Sequence, residues 1–285
     1  MWLSTVLLIL LVLGAGVTLV ILYGASRWQA STEQLLAEMW TERVEPAPET
    51  HDSRELADLP GCVQRYLRTV LEEGQPLVTA VTVEHNGLFN MADRGEQWRP
   101  FTSTQCVITR RPGFLWDARI RMAPGLTVFV RDAYVSGRGV LAARLLGLFS
   151  VMEQPDTPEL AHGELVRLLA EAVWYPTSLL PGQGVCWETV DDAQARATLT
   201  DGGTKVELVF EFDSRGLISA VRSDARSRDV DGVPVATPWQ GRFWEYETRD
   251  GMLVPLEGEV AWLLPEGPRP YWRGRIESIE YEYSE

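Results

Sequence analysis

The chain opens with a long apolar stretch and then alternates between helical and strand-like spacing. Residues 2–23 carry no charge and, apart from one serine and two threonines, are apolar or aromatic. As a helix they span about 33 Å, enough to cross a hydrocarbon core of about 30 Å. Trp2 and Tyr23 stand at the two ends, where amphipathic rings favour the headgroup layer. The pattern predicts a single transmembrane anchor over residues 1–25.

A cleaved signal peptide and a buried core helix are the two alternatives to a membrane anchor for this stretch. A signal peptide normally has a cationic start, a shorter apolar centre and small residues at its cleavage site. No Lys or Arg precedes the stretch, and Tyr23 places a bulky ring before Gly24 and Ala25. A core helix normally carries a polar face, which is missing here. The sequence therefore favours an uncleaved anchor in a single-pass membrane protein.

The side of the membrane on which the rest of the chain lies follows from fewer residues. Arg27 and Arg43 come after the anchor, so the positive-inside rule favours a cytoplasmic body. The three cysteines are far apart and odd in number, so their spacing predicts no disulfide framework. This is compatible with a reducing compartment.

Residues 26–55 are predicted to connect the anchor to the folded body. Ser31 and Gln34 form a capping box ahead of an apolar stripe that ends at Trp40. This pattern fits either a short amphipathic helix at the membrane surface or a continuation of the anchor helix. Pro46 and Pro48 then begin an exposed linker. We expect one folded domain over residues 56–285.

Two segments of this domain have helical spacing. The first follows Leu59-Pro60, where apolar residues recur every three or four positions until Gly74. The second begins at Thr157-Pro158, an N-cap followed by proline at the first helical position. Its leucines form one stripe, and Glu164, Arg167 and Glu171 lie on the opposite side. Residues 140–152 are apolar and fit either a helix or a strand.

Most of the remaining chain alternates with a period of two. In residues 126–135, for example, Val128, Val130, Asp132 and Tyr134 share one face, which places a carboxylate among apolar neighbours. Turn sequences rich in Asp and Gly separate the segments after residue 185 at hairpin spacing. We therefore predict an α+β fold that is predominantly antiparallel β: a curled sheet or open half-barrel packed on two or three helices and preceded by the transmembrane helix.

Charge disfavours one class of partner, and the tryptophan content suggests another. The chain carries 40 acidic and 26 basic residues, a net charge of −14, and this field repels phosphate backbones. Nucleic-acid binding is therefore disfavoured. Eleven tryptophans are unusually many, and most fall in strand segments. A sheet lined with large rings needs a helix layer, a ligand or both to pack against it.

Motifs for catalysis, metals and cofactors are missing from the sequence. No P-loop, dinucleotide-binding loop or nucleophile elbow occurs. His51, His85 and His162 are widely separated, and the cysteines have no paired spacing, so we expect no metal site and no catalytic triad. We predict no catalytic residue and no cofactor.

Charged residues embedded in aromatic strand segments are the best candidates for a binding site. Surface pairing on the wet face of the sheet is the ordinary alternative for any one of them. Asp132 stands out because a buried carboxylate needs a partner, for which arginine is the natural candidate. The predicted ligand-binding residues are Asp132, Arg242, Arg119, Trp116, Trp239, Trp244, Trp262 and Trp272.

Several segments together carry a resemblance to a known family. They are, in order, LPGCVQRYLR, PGFLWDARIRM, VRDAYVSGRG, AEAVWYPTSLLP, TPWQGRFWEY and EVAWLLP. The chain resembles a family of uncharacterised bacterial proteins classed as a domain of unknown function, which implies no activity. More loosely, a curled sheet over helices is similar to the lipoprotein-carrier fold, whose members hold acyl chains in an apolar cavity. No carrier motif is matched, and an anchored body departs from those soluble carriers.

The leading hypothesis is a membrane-tethered module that binds an apolar or lipid-like ligand between sheet and helices. A hydrolase or isomerase that uses carboxylates such as Asp132 and Glu171 as acid and base is a second hypothesis. A structural domain that binds a protein partner is a third, favoured if the sheet is packed without a pocket. No particular protein partner is predicted.

Overall fold

A computed structural model describes residues 2–44, 50–92, 95–230 and 232–283. Its helices are α1 (Trp2–Thr41), α2 (Gly61–Val70) and α3 (Pro158–Glu171). Short 3-10 turns occur at Ser53–Leu56, Ala172–Trp174, Pro176–Leu179 and Pro181–Gln183. Residues 45–49, within the predicted linker, lie outside the described residues.

Thirteen strands make up the rest of the described fold. They are β1 (Val78–Asn90), β2 (Trp98–Ile108), β3 (Gly113–Ala123), β4 (Leu126–Val135), β5 (Arg138–Leu145), β6 (Phe149–Glu153), β7 (Cys186–Thr189), β8 (Gln194–Asp201), β9 (Thr204–Phe212), β10 (Ile218–Val230), β11 (Val233–Arg249), β12 (Met252–Leu264) and β13 (Gly267–Tyr283).

All thirteen strands form one antiparallel sheet in the order β6-β5-β4-β3-β2-β1-β13-β12-β11-β10-β9-β8-β7. Two meanders, β1–β6 and β7–β13, are joined where β1 pairs with β13, from Val78 opposite Tyr283 to Phe89 opposite Trp272. The edge strands β6 and β7 do not pair with each other, so the sheet is open. This confirms the predicted fold class, and the undecided segment 140–152 forms β5 and β6 with the turn between them.

Helix α3 lies inside the curl of the sheet. It contacts β4 and β5 in one half and β9 and β10 in the other. Thr157 caps its first turn by accepting a hydrogen bond from the Leu160 amide, as predicted. Gly139 of β5 leaves room for the helix, because a Cβ there would come 2.7 Å from the Ala161 nitrogen. The sheet therefore wraps α3, and the main hydrophobic core lies between them.

Helix α1 packs on the opposite, outer face of the sheet with its C-terminal half. The Trp28 indole donates to Asp117 Oδ1 at 2.9 Å, and Thr32 Oγ1 donates to Asp117 Oδ2 at 3.0 Å. Arg131, which is buried, donates to the Trp28 carbonyl at 2.9 Å and stacks its guanidinium 4.3 Å from the Trp28 ring centre. These contacts attach the helix to β3 and β4.

The N-terminal half of α1 extends away from the sheet. The helix is continuous across Ser31, so the capping-box segment continues the anchor helix. Nearly all side chains of residues 2–23 are exposed. Among the described helices, α1 alone is long and apolar enough to cross a membrane or to serve as a signal sequence.

Candidate functional site

A group of buried and half-buried polar side chains lies between α3 and the inner face of the sheet. Three come from strands and one from each of three successive turns of α3, and we call them the interior cluster. It consists of Gln105, Asp132, Glu164, Arg167, Glu171 and Arg226. Strand alternation points Asp132 inward beside buried Val130 and Tyr134, as the sequence predicts.

Arg167 is the centre of the interior cluster. Its guanidinium donates to Asp132 Oδ2 at 2.5 Å, to Glu171 Oε1 at 2.7 Å and to Gln105 Oε1 at 3.0 Å. Gln105 in turn donates to the second oxygen of Glu171 at 2.7 Å. Burial opposes the charge of Arg167, but the neighbouring carboxylates outweigh burial and raise its pKa. One arginine therefore forms ion pairs with two carboxylates from two different elements.

Glu164 and Asp132 form a second carboxyl pair within the interior cluster. Burial first, and the Asp132 carboxylate second, raise the pKa of Glu164 well above its usual range, although Arg226 opposes the shift. A hydrogen bond with Asp132 is a further cause that raises this pKa. Asp132 Oδ1 and Glu164 Oε2 have no donor among the described residues. A proton on Glu164 would satisfy both oxygens, because one carboxyl would then donate to the other.

Arg226 lies at the other side of the interior cluster, against aromatic rings. It donates to the Gly163 carbonyl at 3.2 Å and to the Tyr271 hydroxyl at 3.0 Å. Its guanidinium lies 5.0 Å from the Trp239 ring centre and 5.8 Å from that of Trp262. Glu164 is its nearest acidic neighbour, at 3.9 Å. The Arg226 guanidinium thus lies beside one carboxyl group and two aromatic rings. Cation–π contacts of this kind are stronger when they are shielded from water.

His85 lies beside the interior cluster and contributes no charge to it. The imidazole is buried against the Trp174 and Trp272 rings, with ring centres 5.0 and 6.0 Å away. Burial, assisted by the nearby positive charge of Arg167, lowers the pKa of His85 to about 3. The side chain is therefore neutral at physiological pH.

A strip of apolar and aromatic side chains on the inner face is covered less completely than the core. It continues from the buried Phe101 and Trp239 toward the solvent, and all its members are half-buried. We call it the aromatic trough: Phe89, Met122, Val260, Trp262, Tyr271 and Trp272. Trp262 stacks on Tyr271 with ring centres 5.7 Å apart, and Phe89 meets Tyr271 edge-on at 6.1 Å.

The structure brings together five of the eight residues that the sequence nominated for ligand binding. Asp132 belongs to the interior cluster, and Trp116 and Trp239 are buried against its arginines. Trp262 and Trp272 belong to the aromatic trough. Their role in binding stays a prediction.

The other three nominated residues lie on the outer face of the sheet. Arg242 and Trp244 alternate with Gly241 and Phe243, which point inward, so strand geometry turns them to the solvent. Trp244 is 36% exposed and donates to Glu257 at 2.7 Å. Arg119 pairs with Asp117 and lies 4.2 Å from the Phe129 ring centre, beside α1. None of the three reaches Asp132.

Sequence reasoning did not nominate Gln105, Glu164, Arg167 and Arg226 for the site. The partner predicted for Asp132 was an arginine, and Arg167 takes that role from α3. The only sequence feature that could have indicated Arg167 is the polar stripe of α3, which follows β1–β6 in the chain. A polar stripe is normally a solvated face, and nothing local shows that this one is enclosed.

Two recesses of about 550 and 300 Å³ are formed by the described residues, and neither includes a member of the interior cluster. The larger lies between α2 and the β9–β10 turn, and the smaller lies at the C-terminal end of α1. Within the described residues no three His, Cys, Asp or Glu side chains are grouped to hold a metal ion. The interior cluster is thus a set of ion pairs beneath α3, and the half-buried aromatic trough lies beside it.

Three solved structures with very low sequence identity are similar to part of this chain. A LolA superfamily protein from Nitrosomonas europaea is 10% identical with a TM-score of 0.39, and a putative outer membrane lipoprotein-sorting protein domain from Vibrio parahaemolyticus is 8% identical with a TM-score of 0.36. A DUF1329 family protein from Desulfovibrio piger is 13% identical with a TM-score of 0.38. Each match covers 72% of this chain and 86% of the other.

The sequence comparison is more specific. No curated protein matches the chain significantly. A family model matches residues 57–281, which include α2, α3 and all thirteen strands except the last two residues of β13. The chain therefore belongs to the family of unknown function DUF6920.

Proposed function

We propose that this protein is a membrane-tethered module that binds an apolar chain with a polar head in the aromatic trough. The observation that carries the proposal is a row of half-buried rings on the inner face of a curled sheet, next to a buried set of charges. Small-molecule sites typically combine an apolar wall with a few placed polar groups. The apolar half of α1 supplies the tether.

The aromatic trough offers a surface that an acyl or similar chain would cover. Each methylene buried against it contributes about 0.8 kcal/mol. Its rings already contact one another, so little side-chain order has to be gained on binding. The site is therefore suited to a flexible chain whose length, rather than exact shape, sets the affinity.

Arg228 is the natural contact for the polar head. It follows Arg226 by two residues, is half-buried, and holds its guanidinium 6.0 Å from the Trp262 ring centre. Its Nε has no hydrogen-bond partner among the described residues. A guanidinium recognises carboxylate and phosphate through paired hydrogen bonds. An anionic headgroup is thus the class of head that we propose.

The acid–base hypothesis receives less support from the geometry. Asp132 and Glu171 are brought together as it requires, but both accept hydrogen bonds from the same guanidinium of Arg167. Neither of the two recesses reaches them. Because neither recess reaches this pair, the partner-binding hypothesis is the second candidate, and a failure of the aromatic trough to bind the probe would support it.

Photocrosslinking on the full chain in lipid nanodiscs tests the proposal. The probe is a palmitic acid analogue with a diazirine on its chain, and peptide mass spectrometry locates the label. We expect label in segments 86–92 and 259–273, besides α1. Trp262→Ala should reduce label in these segments about tenfold, since a loss of about 1.4 kcal/mol in binding is a factor of ten. Trp244→Ala, on the outer face, is the matched control and should label like the parent protein.

Label confined to α1 would refute ligand binding in the aromatic trough while leaving the tether intact. Equal loss of label in the two tryptophan variants would show that the effect is not specific to the inner face. Arg228→Gln should weaken labelling by the palmitic acid probe but not by the corresponding alcohol. An equal effect on both probes would contradict the assignment of Arg228 to the head.

A further inference from the structure

We propose that the β5–β6 hairpin is a second membrane contact, which rests on the same bilayer surface that receives α1. This inference depends on the tether in the proposed function and not on the aromatic trough. The contact consists of four exposed side chains that we call the apolar hairpin face: Leu126, Phe149, Val151 and Met152. Phe149 and Val151 are 60% and 58% exposed.

The position of the hairpin relative to α1 is fixed by backbone contact. A Cβ on Gly24 would lie 2.1 Å from the Leu146 carbonyl oxygen, and one on Gly147 would lie 2.5 Å from the Gly24 oxygen. Gly147 also has a φ of +71°, which favours glycine. Two glycines therefore let the helix touch the hairpin turn directly.

This contact places the hairpin at the end of the membrane segment. Gly24 directly follows Tyr23, the last residue of the apolar stretch. When residues 2–23 occupy the hydrocarbon core, the turn between β5 and β6 lies at the level of the headgroups. The β3–β4 turn lies at the same end of the sheet, because Leu126 pairs with Ala123 and Val128 pairs with Leu145. All four side chains of the apolar hairpin face are thus near the bilayer surface.

The β5–β6 hairpin also has an exposed apolar edge, as expected of a surface that is covered by another molecule. β6 is an edge strand of the sheet, and all five of its residues are exposed. An exposed apolar edge is a liability for a protein in water unless it is covered. Burial in the headgroup layer removes this liability without a protein partner.

Charge at this end of the molecule fits an anionic lipid surface. Arg27 and Arg121 are exposed, and the side chains of Arg119 and Arg144 are 32% and 31% exposed. Arg119 follows Asp117 in β3, and Arg144 pairs with Glu153 at 3.3 Å. Among the described residues Arg27 and Arg121 form no ion pair, in a chain whose net charge is −14. Basic side chains next to a membrane segment attract anionic headgroups.

Site-specific fluorescence on the full chain tests the inference. Cys62, Cys106 and Cys186 are replaced by Ser, and single cysteines at Phe149, Val151, Leu10 or Val190 carry the environment-sensitive dye NBD. The proteins are reconstituted in phosphatidylcholine vesicles with or without phosphatidylglycerol, and quenched with lipids spin-labelled near the headgroup. Leu10 reports the anchor, and Val190, an exposed valine after β7, is the matched control.

We expect blue-shifted, quenchable emission at Phe149 and Val151, and more of it with phosphatidylglycerol. The dye at position 190 should show the red-shifted, unquenched emission of a probe in water. Water-like emission at both hairpin positions with blue-shifted emission at Leu10 would overturn the inference and leave the tether intact. Water-like emission at Leu10 would overturn both the inference and the tether, whereas crosslinking to the trough tests ligand binding separately. Disulfide-linked dimers through Phe149→Cys, without lipid quenching, would assign the hairpin to a second copy and also overturn it.

Discussion

Replacing Arg167 by methionine is expected to lower the free energy of unfolding by about 3–5 kcal/mol, the range for breaking a buried ion pair. The substitution removes the charged donor from Asp132, Glu171 and the Gln105 oxygen, and Glu171 keeps only its hydrogen bond from Gln105. Methionine fills part of the same volume against Phe114 and Trp116, so loss of charge dominates the effect. Denaturant unfolding of the full chain in detergent micelles, followed by tryptophan fluorescence, measures the change.

Arg215→Met is the matched control for this experiment. Arg215 also pairs with an acidic residue, Asp213 at 2.9 Å, but its side chain is 66% exposed. Surface pairs of this kind contribute at most about 1 kcal/mol. A triple variant that adds Asp132→Asn and Glu171→Gln to Arg167→Met should regain part of the loss, because the unpaired charges are gone. An equal loss in the Arg167 and Arg215 variants would show that the interior cluster is solvated.

In the ion pair between Asp132 and Arg167, the sequence was sufficient to predict the position of Asp132 but not that of Arg167. Strand alternation around Asp132 predicts an inward carboxylate, because a period of two needs no knowledge of the rest of the fold. Arg167 is 35 residues away on a helix whose polar stripe has the usual pattern of a solvated face. The stripe is enclosed because the sheet curls around α3, and the curl depends on pairing of β1 with β13 across the whole chain.

Arg226 was missed for a different reason, a register shift inside one strand. Continued alternation from Val221 and Ser223 places Ala225 inward and Arg226 outward. The pairing of β10 with β11 shifts between Ser223 and Arg226, and beyond the shift Arg226 is buried while Ala225 is exposed. A bulge moves every later side chain to the other face, and its position is not visible in a single sequence.

The contribution of Glu164 to the stability of the protein is expected to fall as pH rises. The pKa of Glu164 in the folded state is raised well above the usual value, mainly by burial and then by Asp132. The folded state therefore holds this proton more tightly than the unfolded state does. The resulting stabilisation is complete below the unfolded pKa of about 4.3 and is lost as pH rises toward the folded pKa. Within that window one proton changes the free energy of unfolding by up to about 1.4 kcal/mol per pH unit.

Glu164→Gln isolates this contribution. The amide still donates to Asp132 but cannot ionise, so the variant should match the parent protein near pH 4 and exceed it increasingly at higher pH. The difference between the two unfolding free energies removes the titration of all other carboxylates. Glu159→Gln, an exposed change in the first turn of the same helix, should run parallel to the parent protein at every pH. A Glu164→Gln curve that also stays parallel would contradict a proton shared between Glu164 and Asp132, and both carboxyls would then have to be ionised, with Arg167 and Arg226 compensating their charges.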